Sequence, residues 1–96
     1  MKIALRPHLK IRLIERAIPQ DYLKKILSNP DSRYFDPLTN HSIAIKSLKY
    51  YGKIRPMVVA YDIIRSEIQV ITVYPTNNQE ILNRIKSGRW IKNEKN

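Results

Sequence analysis

The stretch PMVVAYDIIRSEIQVITVY, residues 56–74, contains two runs rich in Val, Ile and Tyr with Arg65-Ser66-Glu67 between them. Runs of this composition are typical of β-strands, and the short polar interruption is typical of a turn. The stretch therefore predicts two antiparallel strands joined by a tight connection. Its second run, residues 68–74, is the most strand-like part of the chain.

The residues before this stretch extend the same pattern toward the N-terminus. Residues 42–51 alternate well enough to form a long strand, and Gly52-Lys53 provides the turn that reverses it. A further strand is expected at Tyr34, ahead of the turn-rich residues 36–40. Together these segments predict an antiparallel meander of three to four strands.

Helices are expected both before and after the meander along the chain. Pro7 suits the first position of a helix over residues 7–18, because the amide hydrogen that proline lacks is not needed there. A second helix is expected to begin near Pro19 and to end at Asn29-Pro30, since proline disfavours helical geometry in the residue before it. Its buried side is expected to consist of Leu23, Ile26 and Leu27. Residues 2–5 are either a short strand or an unstructured lead.

Two overlapping capping patterns, Thr76 with Gln79 and Asn77 with Glu80, predict a short third helix that Gly88 ends. The predicted fold is therefore an α+β domain with its helices against one sheet face. Two N-terminal helices pack on a three- to four-stranded antiparallel meander, and a short C-terminal helix follows. Residues 1–90 are expected to form a single domain, and residues 91–96 a basic flexible tail.

The charge of the chain narrows the choice of partner. Eighteen Lys and Arg residues against eight Asp and Glu give 96 residues a net charge of +10, which favours an anionic partner. Nucleic acid, an acidic protein and an anionic membrane surface all meet this condition. The absence of cysteine excludes disulfides and thiolate chemistry. No apolar run reaches the length of about 18 residues that a membrane span needs, so we expect a cytoplasmic protein without a membrane partner.

A row of cationic side chains follows the first predicted helix. His8, Arg12 and Arg16 are spaced by four residues, which keeps them within about 80° of one another on a helix. Apolar residues fill the remaining arc and are expected to be buried: Leu9, Ile11, Leu13, Ile14, Ala17 and Ile18. The row is either a solvated face that keeps the helix soluble or a site for an anion.

The residue types limit the chemistry that this chain offers. Acidic residues are scattered, and the chain has only two glycines, so neither a metal site nor a P-loop is expected, and no cofactor is implied. RNA cleavage without a metal requires proton transfer and stabilisation of charge on the phosphate, which His, Arg, Lys and Tyr can supply. Thr72 and Tyr74 alternate on one strand face with Val70, where they are either active-site groups or simply good strand formers.

Two further groups of residues are candidates for nucleic-acid binding. Arg84 and Arg89 accompany Trp90, whose ring either stacks on a base or covers a small core. Lys46 and Lys49 give the strand over residues 42–51 a basic and aromatic character, because Tyr50 and Tyr51 follow them.

Three motifs together resemble a family of small domains similar to RelE-type toxins. They are the His8-x3-Arg12-x3-Arg16 opening, the Asn29-Pro30 stop and the sequence Val-Ile-Thr-Val-Tyr-Pro at residues 70–75. The family belongs to the group of barnase, EndoU, colicin and RelE-like ribonucleases. The resemblance covers residues 7–75 and implies a RelE-like domain in which N-terminal helices pack on an antiparallel sheet.

The resemblance also implies an activity and its residues. It makes His8, Arg12 and Arg16 the helix-borne candidates for catalysis, and Thr72 and Tyr74 the strand-borne ones. The implied function is that of a toxin-like, metal-independent endoribonuclease acting on RNA or at the ribosome, with an acidic antitoxin as partner. Two alternatives remain open, a non-catalytic nucleic-acid-binding module and a protein-interaction adaptor for an acidic partner. Family members generally have a glycine near the position of Ala17 or Ile18, which gives a short break between the helices, whereas this chain has Ala17-Ile18-Pro19.

Overall fold

The computed structural model describes residues 2–93, which fold into helices packed on a single sheet. The elements in chain order are β1 (Lys2–Leu5), α1 (Pro7–Glu15), α2 (Asp21–Ser28), β2 (Ser32–Asp36), β3 (His41–Tyr50), β4 (Lys53–Ile64), β5 (Glu67–Pro75), α3 (Asn78–Lys86) and β6 (Ile91–Lys92). These residues form one six-stranded sheet with the strand order β1-β5-β4-β3-β2-β6. None of the helices in this part of the chain has both the length and the apolar character needed to cross a membrane.

The sheet is mixed, which corrects the predicted meander of three to four antiparallel strands. Strands β2 to β5 do form an antiparallel meander. However, β1 pairs in parallel with β5, from Lys2 opposite Glu67 to Leu5 opposite Val70. At the other edge β6 pairs antiparallel with β2, where Ile91 lies opposite Phe35. The prediction was wrong because both added strands are too short for a periodic signal and form by pairing with the open edges of the meander.

Helices cover both faces of the sheet, so the predicted packing on a single face is also wrong. Ala44 and Val59 point into a core formed with α1 and α2. Their neighbours Ile43 and Val58 point the opposite way, into a second core that contains Trp90 and is bordered by Ile81 of α3. Central strands with apolar side chains on both faces are stable only when both faces are shielded from water. The segment after β5, which contains α3 and Trp90, packs on the second face.

The two N-terminal helices bury different amounts of their apolar surface. The buried residues of α2 are Leu23, Ile26 and Leu27, as predicted. In α1, only Leu9 and Leu13 are buried, whereas Ile11 is 58% exposed and Ile14 is 80% exposed. The predicted apolar arc of α1 is therefore only half right, because the helix lies over the edge of the sheet and its outer side faces solvent.

The break between the two N-terminal helices is a Schellman motif. The amide of Ala17 donates to the carbonyl of Ile14, and the amide of Ile18 donates to the carbonyl of Leu13. Ala17 has a φ of +53°, a left-handed conformation that glycine adopts at less cost. Ile18 and Leu13 are both buried in the same core, which completes the motif and directs the chain toward α2.

In the C-terminal segment, the predicted start of the third helix is correct, but the predicted flexible tail is not. The side chain of Asn77 accepts a hydrogen bond from the amide of Glu80, so this cap is confirmed. Gly88, with a φ of +77°, follows the end of α3. Ile91 and Lys92, predicted to belong to a flexible tail, instead form β6, and residues 94–96 of that tail lie outside the described residues.

Candidate functional site

The candidate site lies where α1 crosses the edge of β5. The last pair between β1 and β5 joins Leu5 to Val70. Beyond Val70, none of the described strands pairs with this edge of β5, and α1 lies against it. Residues 71–75 therefore present backbone groups at an edge that a helix, rather than another strand, covers.

A β-bulge changes the direction of the side chains at this point. Tyr61 lies opposite Val70 and Ala60 lies opposite Thr72, so Ile71 is an extra residue with no partner on β4. As a result, Val70 packs in the core under α1 and α2, whereas Tyr74 packs against the second core. The predicted common face of Val70 and Tyr74 is therefore wrong, because simple alternation does not pass through a bulge.

The structure brings the cationic row of α1 together with β5. His8, Arg12 and Arg16 line a small cavity of about 160 Å³, and Ile71 and Thr72 line it from the strand side. Leu9, which is buried, forms its floor, and none of the residues that line the cavity is acidic. The arrangement offers an imidazole and two guanidinium groups to an anion that reaches the open side of the cavity.

Arg16 is the most strongly held member of the row. Its Nη1 donates to the backbone carbonyl of Val73 at 2.8 Å, and its own backbone carbonyl accepts a hydrogen bond from the Tyr50 hydroxyl at 2.6 Å. These bonds connect the end of α1 to both β5 and β3. A guanidinium has more donors than the bond to Val73 uses, so Arg16 can also donate to a ligand.

His8 and Arg12 are exposed and differ from Arg16 in this respect. Within residues 2–93, no other side chain holds the His8 ring by a hydrogen bond. No side-chain hydrogen bond from the described residues therefore fixes the orientation of this ring.

Tyr74 does not belong to this cavity. Its side chain packs beside the second core, on the face that α3 covers. Burial raises the pKa of the Tyr74 hydroxyl, while the positive charges of Arg84 and Arg89 act in the opposite direction. Of the two predicted strand residues, Thr72 therefore lines the cavity with His8 and Arg12, and Tyr74 does not.

Trp90 and Arg84, two of the predicted nucleic-acid-binding residues, contact each other inside the chain. Trp90 is only 3% exposed. Its ring stacks on Tyr34 with centroids 5.8 Å apart, and the Arg84 guanidinium lies 5.3 Å from its centroid. In this arrangement the Trp90 ring covers the second core.

Arg89 is held by a buried carboxylate. Its Nε lies 3.0 and 2.9 Å from the two carboxylate oxygens of Asp36, which is 3% exposed. Burial alone would raise the pKa of Asp36. Hydrogen bonds from Arg89 and from the amides of Thr39 and Leu38 outweigh that effect and hold the pKa below its ordinary value. Arg89 thus anchors the segment after α3 to the end of β2.

The two predicted strand lysines occupy different environments. Lys46 donates to the backbone carbonyl of Asn29 at 3.0 Å and lies 3.7 Å from a carboxylate oxygen of Asp31. Lys49 is exposed near the end of β3. Neither lines the cavity under α1, so any contact of these lysines with a nucleic acid would lie away from it.

One polar pair was not predicted from the sequence. The Nδ1 atom of His41 lies 2.8 Å from a carboxylate oxygen of Asp62. These residues are 21 positions apart and meet only because the β3–β4 register places Ser42 opposite Tyr61. Asp62 at the end of an otherwise apolar run was the one available signal, but recognising the pair requires the register.

Comparison with protein-family models, with curated proteins and with solved structures finds no match for this chain. In residues 2–93, no group of three or more His, Asp or Glu side chains is arranged to hold a metal ion. The function is therefore argued from the geometry of the chain itself.

Proposed function

We propose that this chain is a metal-independent endoribonuclease that binds RNA at the cavity between α1 and β5, in the manner expected of a RelE-like toxin. The observation that supports the proposal is that His8, Arg12, Arg16 and Thr72 line one cavity whose lining contains no acidic residue. The net charge of +10 would bring a polyanion to this surface.

The residues at the cavity suit cleavage at a phosphodiester. Arg12 and Arg16 would hold the phosphate and stabilise the charge that develops on its oxygens. His8 would take the proton of the 2′-hydroxyl, and the 2′-oxygen would attack phosphorus while the bond to the 5′-oxygen breaks. The 5′-oxygen would receive a proton from the imidazolium or from water. The products would carry a 2′,3′-cyclic phosphate and a 5′-hydroxyl.

Thr72 would position the ribose or the phosphate rather than transfer a proton. It borders the cavity at the bulge, where its place relative to Arg16 is maintained by the bond from Arg16 to Val73. In a toxin–antitoxin pair, an acidic antitoxin would bind the same cationic row and block it. The ribosome would serve as the source of the RNA if cleavage depends on translation.

One observation favours a second candidate, a non-catalytic RNA-binding module. No carboxylate or carbonyl of the described residues orients His8, whereas histidines that act as bases are commonly oriented by such a partner. The same cationic row would then bind the phosphate backbone without cleaving it.

The test compares cleavage by matched variants. Purified wild-type protein, the double variant His8→Ala, Arg12→Gln and the control Lys10→Ala are incubated with labelled RNA in EDTA, with and without translating ribosomes. Lys10 is an exposed cation on α1 that does not line the cavity. We expect cleavage with cyclic-phosphate ends by the wild type and Lys10→Ala and at least a hundredfold loss in the double variant. Binding without cleavage by the wild type and Lys10→Ala, weakened in the double variant, would favour the non-catalytic module. Equal cleavage by all three would exclude this cavity as the active site.

A further inference from the structure

The hairpin between β3 and β4 extends beyond the strands on either side of it. Strand β2 pairs with β3 only as far as Ile45, and β5 pairs with β4 only from Met57 onward. Residues 47–56 therefore form a two-stranded arm, called here the β3–β4 arm, with Tyr51 and Gly52 at its tip. The residue pairs of the arm, from Ser47 opposite Pro56 to Tyr50 opposite Lys53, span about 13 Å.

The β3–β4 arm is cationic, and none of its residues is acidic. Lys49 and Lys53 are exposed, and Arg55 is half-buried. Within residues 2–93, none of the carboxylates forms an ion pair with any of these three side chains. Their charges are therefore available to an anionic partner.

Two of these cations lie on the face of the sheet that α1 and α2 cover. Lys53 is opposite Tyr50 and Arg55 is opposite Leu48, and both partners pack against the core under α1 and α2. The Tyr50 hydroxyl donates to the backbone carbonyl of Arg16 at 2.6 Å. Burial raises the pKa of this hydroxyl, while the positive charges of Arg16 and Arg55 act in the opposite direction, so both cations are near it. The arm thus adjoins the end of the cationic row that lines the cavity under α1.

The tip of the arm carries an exposed aromatic ring. Tyr51 is 70% exposed. Its ring meets that of Tyr50 edge to face, with the centroids 4.6 Å apart and the planes at 75°. Such a contact covers at most one face of the Tyr51 ring, so the other face is available for stacking.

The backbone at the tip does not favour a tyrosine. Tyr51 has a φ of +50° and Gly52 a φ of +76°, and a two-residue turn of this kind favours Asn-Gly. A bulky residue at positive φ is uncommon, and such a residue at an exposed position suggests a functional role. Neither burial nor backbone conformation therefore accounts for the aromatic side chain at this position.

An open aromatic face beside unpaired cations matches the chemistry of single-stranded nucleic acid. Proteins bind such strands by stacking bases on aromatic rings while cationic side chains bind the phosphates. An acidic protein would match the cations, but its carboxylates would leave the open face of Tyr51 unused. The observations therefore favour a strand that carries both phosphates and bases.

We propose that the β3–β4 arm binds single-stranded RNA, with a base stacked on Tyr51 and the adjacent phosphates bound by Lys53 and Arg55. The proposal rests on the proposed function in naming RNA as the ligand and in extending the same strand to the cavity under α1. The RNA would then be held at two places, the cavity where Arg12 and Arg16 bind a phosphate and the tip of the arm.

The test measures binding of a strand that cannot be cleaved through its 2′-oxygen. A labelled 2′-O-methyl RNA of mixed sequence and a labelled oligoglutamate of equal charge are titrated with the wild type, Tyr51→Asn and Tyr51→Phe, and fluorescence anisotropy is followed. Asparagine suits the positive φ, so Tyr51→Asn should be as stable as the wild type in urea. We expect Tyr51→Asn to weaken binding of the strand about tenfold. Tyr51→Phe should stay within about twofold of the wild type, and oligoglutamate should bind all three proteins equally.

A substitution of one cation gives an independent measure. Lys53→Gln should reduce the magnitude of the slope of log K against log salt by about 0.7, the contribution of one phosphate contact on a single strand. The matched control Lys86→Gln, which removes an exposed cation from α3, should leave the slope unchanged.

Three results would overturn the inference. They are failure of the wild type to bind the strand at low salt, equal binding of the strand by Tyr51→Asn and the wild type, and an equal loss of oligoglutamate binding in Tyr51→Asn, which would favour an acidic protein as partner. Cleavage of unmodified RNA with strand binding that does not depend on Tyr51 would overturn this inference alone. Strand binding that depends on Tyr51, without cleavage, would overturn only the proposed catalysis.

Discussion

Arg16 donates from Nη1 to the backbone carbonyl of Val73 at 2.8 Å, across 57 positions of sequence. The bond lies at the edge of β5 that no described strand covers, and Arg16 also lines the cavity proposed to bind phosphate. One side chain thus stabilises the fold and contributes to the site. Arg12, one turn earlier on α1, lines the same cavity but is exposed, so the two arginines can be told apart by experiment.

Replacing each arginine by glutamine is expected to separate these roles. Arg16→Gln should lower the free energy of unfolding by about 1–2 kcal/mol, because the Val73 carbonyl loses its donor. Arg12→Gln should change it by less than about 0.5 kcal/mol, as is usual for exposed residues. Urea titration followed by the fluorescence of Trp90, the single tryptophan, measures both. Equal stability of the two variants would contradict a structural role for the Arg16–Val73 bond.

The proposed binding of RNA should depend steeply on salt, since Arg12 and Arg16 line the cavity and the chain has a net charge of +10. The logarithm of the association constant for a single-stranded RNA is expected to fall linearly with the logarithm of the salt concentration. Arg12→Gln should reduce the magnitude of that slope by about 1, the contribution of one phosphate contact. Fluorescence anisotropy from low to physiological salt measures it. An affinity that does not change with salt would rule out phosphate recognition by this row.

Ala17→Gly is expected to stabilise the protein, although glycine usually destabilises. At a φ of +53°, the methyl group of alanine is strained, and glycine removes that strain at the end of α1. The gain should be about 1 kcal/mol after the larger entropy of the unfolded glycine chain is included. Ala4→Gly in β1 is the matched control and should destabilise by about 0.5–1 kcal/mol. Thermal unfolding of the wild type and the two variants measures whether each substitution raises or lowers the stability.

The β4–β5 hairpin offers a second position of backbone strain. Arg65 and Ser66 both have positive φ, 52° and 64°, and they connect the paired residues Ile64 and Glu67. A two-residue turn of this kind favours Asn-Gly. The double variant Arg65→Asn, Ser66→Gly should therefore raise the free energy of unfolding by about 1 kcal/mol. A loss of stability in urea titration would show that Arg65 or Ser66 makes a compensating contribution.

The Asp36–Arg89 pair is expected to make stability depend on pH. The pKa of Asp36 is lowered in the folded protein, so its ionised form stabilises the fold above the ordinary carboxyl pKa. That contribution should be lost as the pH falls through the lower folded value. Asp36→Asn should therefore cost about 2 kcal/mol at pH 7, and the difference from wild type should narrow below about pH 4.

A matched pair of variants tests the partner of this carboxylate. Arg89→Met should destabilise by about 2 kcal/mol at pH 7, since the buried Asp36 loses a charged donor. Lys86→Met removes the same charge from an exposed position on α3 and should have an effect below about 0.5 kcal/mol. Urea titrations at pH 7 and pH 3 measure both differences. A pH-independent gap between Asp36→Asn and wild type would contradict the assigned ionisation.

Much of the local structure was predictable because its signals lie within a few residues. Proline at the start of α1, the cap that Asn77 makes to Glu80, and the buried side of α2 follow from local rules, and the structure confirms them. The spacing of four residues also predicted that His8, Arg12 and Arg16 would share one side of α1. These features follow from helix geometry and from side chains that lie within a few residues of one another.

The bulge at Ile71 was not predictable in this way. No local rule distinguishes residues 70–74 from a regular strand. The bulge nevertheless places the side chains of Val70 and Tyr74 on opposite faces of the sheet. The candidate site was therefore only partly foreseen. Thr72 lines the cavity at the open edge of β5, whereas Tyr74, on the same strand face two residues later, packs against the second core.

By itself, the sequence determined the antiparallel meander, the helices and the cationic row on α1, since periodicity and capping act over short distances. Only the tertiary structure decided that β1 and β6 extend the sheet, that α3 covers its second face, and that His41 meets Asp62. Strand pairing and register join residues that are distant in the chain. Their free energy arises from edge hydrogen bonds and from the burial of both sheet faces, which no short segment encodes.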